Sequence, residues 1–444
     1  MKSKSSFQPL FSTISKLFVL LLFLSSFGNC LQAVRSPFDM NNPKSLMQTL
    51  VLLLSSTRTL NSYRFSYSGA NPVWTSGLCG VADQSTGIGP YTFYTNSGDD
   101  VLFTVNSNFQ FLAGICDMLR AGELSLYIDG VKRQTSSYNR CWGQYSVMNT
   151  SFVVPSMTLG NHTMELKFCS TNGIAPVIDS TNYQNILTAT SLQSALNYEG
   201  RADFNLPVGT TNLPSSGAYI PIVNGANMAA TYTPTNNILL WQGLNLGGIG
   251  GAGTVLRLNP TTTEDYFFMD DGSMPANLFS YTPVSAGVAT TISAFSQGNA
   301  NTITTKATYD NTLNLLAFKV PTANTYGKSV FSGSISESVG TVTPVMNIPI
   351  TNGSSKRYLI SFTGNSANGD GTGNGCEFRL FINGSEIVKV PQIQSNGGNA
   401  TRTSMTTIEN LPGGETIPVE IRFNRLLSGT CTVNIATLTV LPLE

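Results

Sequence analysis

Beyond residue 60 the apolar residues recur at every second position, the spacing of strands with one buried face. No stretch keeps the three-to-four spacing of a helix. One pattern of strands occurs three times. It opens on an apolar strand: Val101-Leu102-Phe103-Thr104-Val105, Ile238-Leu239-Leu240-Trp241-Gln242 and Tyr358-Leu359-Ile360-Ser361-Phe362. The first and third carry a small hydroxyl at the fourth place, where the second carries Trp241.

A hairpin follows in each copy. It reads Leu124-Ser125-Leu126-Tyr127-Ile128-Asp129-Gly130, Tyr266-Phe267-Phe268-Met269-Asp270-Asp271-Gly272, and Glu377-Phe378-Arg379-Leu380-Phe381-Ile382-Asn383-Gly384. Asp-Gly and Asn-Gly suit the type I′ turn, because both central residues must accept positive φ. A glycine turn then runs into a strand, at Gly160, Gly287 and Gly413-Gly414, and each copy closes on a Thr- or Leu-rich strand. The middle copy has only half the hairpin-to-turn spacing of the others, so its hairpin is either missing or misaligned. The expected fold class is all-β, with tandem antiparallel β-sandwiches of jelly-roll type. The boundaries are 62–200, 201–335 and 336–444.

The N-terminus departs from this pattern. Lys2, Lys4 and Lys16 precede the apolar run Leu17 to Phe27, and Gly28-Asn29-Cys30 follows. This is the order of a secretory signal peptide, over 1–29. Its core is about half of the roughly 20 residues that span a bilayer. Phe27-Gly28-Asn29-Cys30 resembles a lipobox, with Phe27 and Asn29 departing from the usual residues. Together with Ser36-Pro37-Phe38-Asp39 and the run Ser45 to Leu54, the leader resembles those of uncharacterised spirochaete surface lipoproteins. The resemblance implies a diacylglycerol on Cys30, a tether over 30–61 and a place on the outer membrane or cell surface. The alternative is an ordinary signal peptide cut after Cys30.

Export changes the reading of the cysteines. Apart from Cys30 there are six: Cys79, Cys116, Cys141, Cys169, Cys376 and Cys431. An even set in an exported chain reads as three disulfides. Cys116 and Cys169 flank the first hairpin region as Cys376 and Cys431 flank the last. The expected pairs are therefore Cys116–Cys169, Cys376–Cys431 and Cys79–Cys141. A loop of that size stabilises by about 4 kcal/mol in the chain-entropy model. The middle copy has no cysteine and is expected to be the least stable.

Composition narrows the function. Only 11% of residues are charged, and removing three leader lysines leaves 21 bases against 24 acids. Without a basic run, nucleic acid is not an expected partner. His162 is the only histidine. A hydrolase triad would have to use it, and a multi-histidine metal site is excluded by count. Glu264-Asp265 and Asp270-Asp271 are the acid–base candidates, although turns favour Asp without chemistry. The loop Asn365 to Gly375 offers oxygens to Ca²⁺ but only one carboxylate, Asp370. Gly247 to Gly253 lacks the Lys-Ser/Thr of a phosphate loop.

Of the three tryptophans, Trp142 adjoins Cys141 and Trp241 lies in a core strand. Trp74 is thus the candidate for stacking on a sugar. Sequons at Asn149, Asn161, Asn352, Asn383 and Asn399 would mark exposed loops in a eukaryote. The expectation is a non-enzymatic, membrane-anchored surface protein without a cofactor or metal, with a binding or structural role. Its partners are the membrane, through the lipid, and a glycan or an extracellular protein. A secreted carbohydrate-binding protein is the alternative.

Overall fold

In the computed structural model, the apolar runs that open the three copies are buried on both faces. Val101, Phe103 and Val105 point into the core of the first sandwich, while Leu102 joins a second core shared with Leu239, Trp241 and Leu359. A strand covered on both sides has no solvent face to alternate toward, which is why these runs are nearly continuous in apolar residues.

The structure describes residues 60–67, 79, 83–110, 121–139, 145–170, 177–178, 183–206, 209–212, 219–222, 227–250, 254–258, 266–269, 274–297, 302–305, 311–338, 341–368, 376–391, 401–425 and 430–444. Residues Leu60–Glu444 form one unit. Among the described residues there is no α-helix, only a short 3-10 turn at Leu192–Ser194.

Each sandwich repeats one strand order. Its first, eighth, third and sixth strands lie side by side in one sheet, and its second, seventh, fourth and fifth in the other. That is the two-Greek-key order of a jelly roll. In the first sandwich the third strand, Asp99–Gln110, lies between Asn185–Ser191 and Tyr145–Met157. The corresponding strands are Ile238–Gly250 in the second sandwich and Lys356–Asn368 in the third. All pairings are antiparallel. The I′ turns form as expected, with φ of 51° and 73° at Asp129 and Gly130, and 49° and 76° at Asn383 and Gly384.

The middle copy is complete. Its fourth strand is Thr254–Leu258, and Tyr266–Met269 is the fifth, not the fourth as the sequence alignment placed it. The halved spacing arose from that slip of one strand. Two boundaries also move. Gly327–Glu337 pairs along Cys431–Pro442 as the first strand of the third sandwich, so a cut at 335 falls inside it. Likewise Tyr198–Leu206 opens the second sandwich and spans the cut at 200. Gly327–Glu337 is an exposed edge strand rich in Ser and Gly, with little apolar alternation to reveal it.

The three sheets that hold the third strands face one another. One level of their junction is apolar: Leu102, Leu239 and Leu359, with Phe279, Ile408 and Leu441. The next levels are polar, and each interface has its own hydrogen bonds. Between the first and third sandwiches, Asn106 Nδ2 donates to the Thr406 carbonyl at 2.6 Å and Asn106 Oδ1 accepts from the Thr406 N–H at 3.3 Å. Between the first and second, Asn245 Nδ2 donates to the Ser151 carbonyl at 2.5 Å and its Oδ1 accepts from the Ser151 N–H at 3.2 Å. Between the second and third, the Trp241 indole donates to Ser361 Oγ at 3.3 Å. Trp241 lays its ring over Gly243, where an added Cβ would meet it at 2.4 Å. Buried amides that satisfy each other across an interface fix its register, because any other docking leaves them unpaired.

Register gives the body two ends. Asp99, Ile238 and Lys356, which begin the third strands, pair with Met157, Val284 and Leu411 at one end, here called the base. Both described chain ends lie there. Leu60 is buried beside Leu443 in the shared core; its N–H donates to Glu444 Oε1 at 3.3 Å and its carbonyl accepts from Arg357 Nη1 at 2.7 Å. The links at 192–197 and 320–326, between successive sandwiches, are at the base too. The opposite end holds Cys169 and Cys376, which stand beside Glu123 and Arg425 in their sheets.

Candidate functional site

The outer faces of the first and third sandwiches carry the same construction. In the first, Glu165 and Lys167 alternate with buried Met164, Leu166 and Phe168 along the seventh strand, so both charged side chains point outward. Lys167 Nζ lies 3.4 Å from Glu165 and 4.7 Å from the centre of the Tyr127 ring on the neighbouring strand. In the third, Arg422 pairs with Glu420 at 2.5 Å and its guanidinium lies 4.2 Å over the Phe381 ring. Tyr127 and Phe381 hold corresponding places in the two hairpins. An acid two residues before a base thus steers the base over an aromatic ring, a cation–π contact. The signal was visible as Glu165-Leu166-Lys167-Phe168 and Glu420-Ile421-Arg422-Phe423, but sequence reading took these only as strands.

The charges around each ring are matched. Tyr127 donates to Asp83 Oδ2 at 2.6 Å, and Lys132 bridges Asp83 at 3.3 Å and Glu123 at 3.2 Å. Burial first, then the hydrogen bond and charge of Asp83 and the charges of Glu123 and Glu165, hold the Tyr127 phenol protonated far above its usual range. In the third sandwich the buried Glu377 carboxylate takes Arg379 at 2.6 Å, Lys389 at 3.8 Å and the Tyr183 hydroxyl at 2.9 Å.

His162 is held between two acceptors. Its Nδ1 is 2.6 Å from Asp129 Oδ2 and its Nε2 is 2.9 Å from the Thr158 carbonyl. Both nitrogens must donate to satisfy that geometry, which favours the imidazolium. Burial opposes the charge, but the Asp129 hydrogen bond, the Thr158 carbonyl and the Asp129 charge outweigh it and raise the pKa. The ring pins the Asp129-Gly130 turn to the Thr158–Gly160 turn. With both nitrogens engaged, the ring ties the two turns together.

The cysteine pairing differs in part from expectation. Cys376–Cys431 forms as expected, with Cα atoms 5.4 Å apart. Cys169 pairs with Cys79, not with Cys116, at a Cα separation of 4.8 Å. The physical reason is register. The chain after Cys79 returns alongside the seventh strand, where Gln84 pairs with Phe168, and this carries Cys79 to Cys169. The expected Cys79–Cys141 pair is excluded with it. Cys116 and Cys141 lie outside the described residues, as do Cys30, Trp74, Trp142, Glu264-Asp265 and Asp270-Asp271.

Cys79, Glu123 and Cys169 bring three ligand-type atoms within 4.8 Å of one another, but both sulfurs are spent in the disulfide and cannot act as thiolates. Trp241 is buried in the junction and offers no sugar platform. Of the sequons, Asn149 and Asn352 are buried, Asn161 is exposed at the start of the seventh strand, Asn383 is exposed in its turn, and Asn399 lies outside the described residues.

No protein-family model matches this chain, and no curated protein matches it in sequence. Among solved structures it is similar to a recombinant N-glycanase F, at 12% identity over 52% of this chain and 95% of that one, with a TM-score of 0.25. It is also similar to latent PorU from Porphyromonas gingivalis, at 9% identity over 47% of this chain and 24% of that one, with a TM-score of 0.18. A third is a triple jelly-roll protein of an archaeal virus, at 10% identity over 86% of this chain and 90% of that one, with a TM-score of 0.16. No activity follows from likenesses this distant.

Proposed function

We propose that this chain is an exported, non-enzymatic surface protein, held to a membrane by a lipid on Cys30, whose three jelly rolls serve a binding or structural role. One observation carries the reading. Arg357 and Glu444 hold Leu60 at the base. A tether from Cys30 would join the body there, at the end away from Cys169 and Cys376. The matched outer-face charges and the doubly engaged His162 support a role without catalysis. The outer-face rings of Tyr127 and Phe381 are each covered by a cation, which argues against sugar stacking at those two positions.

Intact mass and detergent partitioning of the mature protein test the reading, beside a Cys30→Ala variant. A lipid-sized mass excess and recovery in detergent, both lost in the variant, are expected. A mature chain that starts after Cys30 without lipid would overturn the anchoring.

A further inference from the structure

We infer that His162 is a one-sided latch worked by a proton: charged, it joins two turns at the base of the first sandwich, and on losing the proton it lets go of Thr158 and keeps Asp129. The two turns are the Asp129-Gly130 hairpin turn and the 157–160 turn that leads into Gly160–Ser170. Each ring nitrogen faces an acceptor, Asp129 Oδ2 at 2.6 Å and the Thr158 carbonyl at 2.9 Å. A carboxylate and a carbonyl have no proton to give, so only the imidazolium fills both places. A neutral ring has one N–H and one lone pair, and that lone pair must then point at an oxygen.

The surroundings decide which oxygen it is. A bond to a carboxylate is stronger than one to a neutral carbonyl. Asp129 is also held without the histidine. Its Oδ1 accepts from the Thr163 N–H at 2.8 Å, and its own N–H donates to the Thr163 carbonyl at 2.9 Å. The Thr158 carbonyl keeps a donor when the ring withdraws, Thr95 Oγ1 at 2.6 Å. The neutral ring is therefore the Nδ1–H tautomer, still on Asp129, with Nε2 bare toward Thr158. Neighbouring charges leave that choice in place. Strand Tyr91–Thr95 presents Phe93 at 5.6 Å and carries neither a carboxylate nor a base. Asp99, buried in the adjoining turn, accepts from the Asn96 N–H at 2.9 Å. Lys132 of the hairpin is held by Asp83 at 3.3 Å and Glu123 at 3.2 Å. Burial opposes the charged ring, but the Asp129 bond, the Thr158 carbonyl and the Asp129 charge outweigh it, so release comes above the ordinary value of 6.5.

His162 is the only histidine, so its ring can be read directly in the intact protein. The test is a long-range proton–nitrogen spectrum of the protein labelled in histidine with nitrogen-15, followed from pH 5 to pH 9. Hydrogen exchange, expressed as protection factors, is followed beside it. Two protonated nitrogens are expected at the acid end. On titration Nε2 alone should lose its proton. Protection over 157–160 should then fall about tenfold, the weight of one hydrogen bond, while 129–131 keeps its own. His162→Gln should show no such fall with pH. An Nε2–H tautomer at pH 9 would overturn the inference, and so would equal loss of protection in both turns or a ring already neutral at pH 5. The spectrum is read on the parent protein, so it decides the matter even where His162→Gln does not fold.

Discussion

Trp241 of the second sandwich donates its indole N–H to Ser361 Oγ of the third at 3.3 Å, inside a core that belongs to neither sandwich alone. The fourth place of each opening strand, which in sequence separated two hydroxyls from one tryptophan, is therefore one position seen three times around a junction. Trp241 is large where Ser361 is small, and its indole reaches that serine across the junction, whereas Thr104 bonds Thr188 of its own sandwich at 2.7 Å. Replacing Trp241 with Ala should cost about 3–5 kcal/mol, and Ser361→Ala about 1 kcal/mol. Urea unfolding followed by far-ultraviolet circular dichroism measures both.

The shared core also changes an expectation about the middle sandwich. Lacking cysteines, it looked the weakest of the three. Its Leu239, Trp241, Phe279 and Phe318 are common property with its neighbours, so it should not melt first. Calorimetry under non-reducing conditions should show a single transition over residues 60–444, and a separate early transition removed by second-sandwich substitutions would argue against this.

His162 makes the first sandwich sensitive to pH in one direction. Its folded pKa is raised, so the stabilisation is complete below the unfolded value of about 6.5 and is lost as pH rises through the folded value. The midpoint of thermal unfolding should fall between pH 6 and pH 9 in the parent more than in His162→Gln. Parallel curves for the two proteins would remove His162 as the cause.

Glu377 is a buried carboxylate with three partners on Arg379, Lys389 and Tyr183. Glu377→Ala leaves Arg379 and the Tyr183 hydroxyl short of an acceptor and should destabilise by about 3 kcal/mol. Glu377→Gln keeps an acceptor for Tyr183 and should lose less. The difference between the two variants in urea midpoint is the quantity to measure.

Peptide mapping without reduction should recover Cys79 joined to Cys169 and Cys376 joined to Cys431. A peptide linking Cys116 to Cys169 would contradict the register described for the first sandwich.

Period-two alternation and the Asp129-Gly130 and Asn383-Gly384 turns were enough to read strands, hairpins and three tandem units from sequence, because each reports a local backbone requirement. What stayed hidden depends on partners distant in the chain. Leu102 looks like any core leucine until Leu239 and Leu359 are found against it. Nothing in the sequence sets Asn106, Asn149, Asn245 and Asn277 apart, yet all four are buried and bond across interfaces. The Cys116–Cys169 assignment failed in the same way, since it compared separations along the chain while the chain after Cys79 returns to the seventh strand. Of the outer faces, the steering of Lys167 and Arg422 by an acid two residues earlier was legible, but the rings beneath them were not, because they lie on another strand.

The position of Leu60 against Glu444 has a topological consequence. The two inter-sandwich links and the contact of Leu60 with Glu444 form three seams at one end, one for each sandwich. A short linker from Glu444 to Leu60, with a cut within 320–326, would give a circular permutant in which the third jelly roll is synthesised first, with every strand left where it is. The order of the sandwiches along the gene is then a matter of where the ring was opened, and the ring itself has no first member.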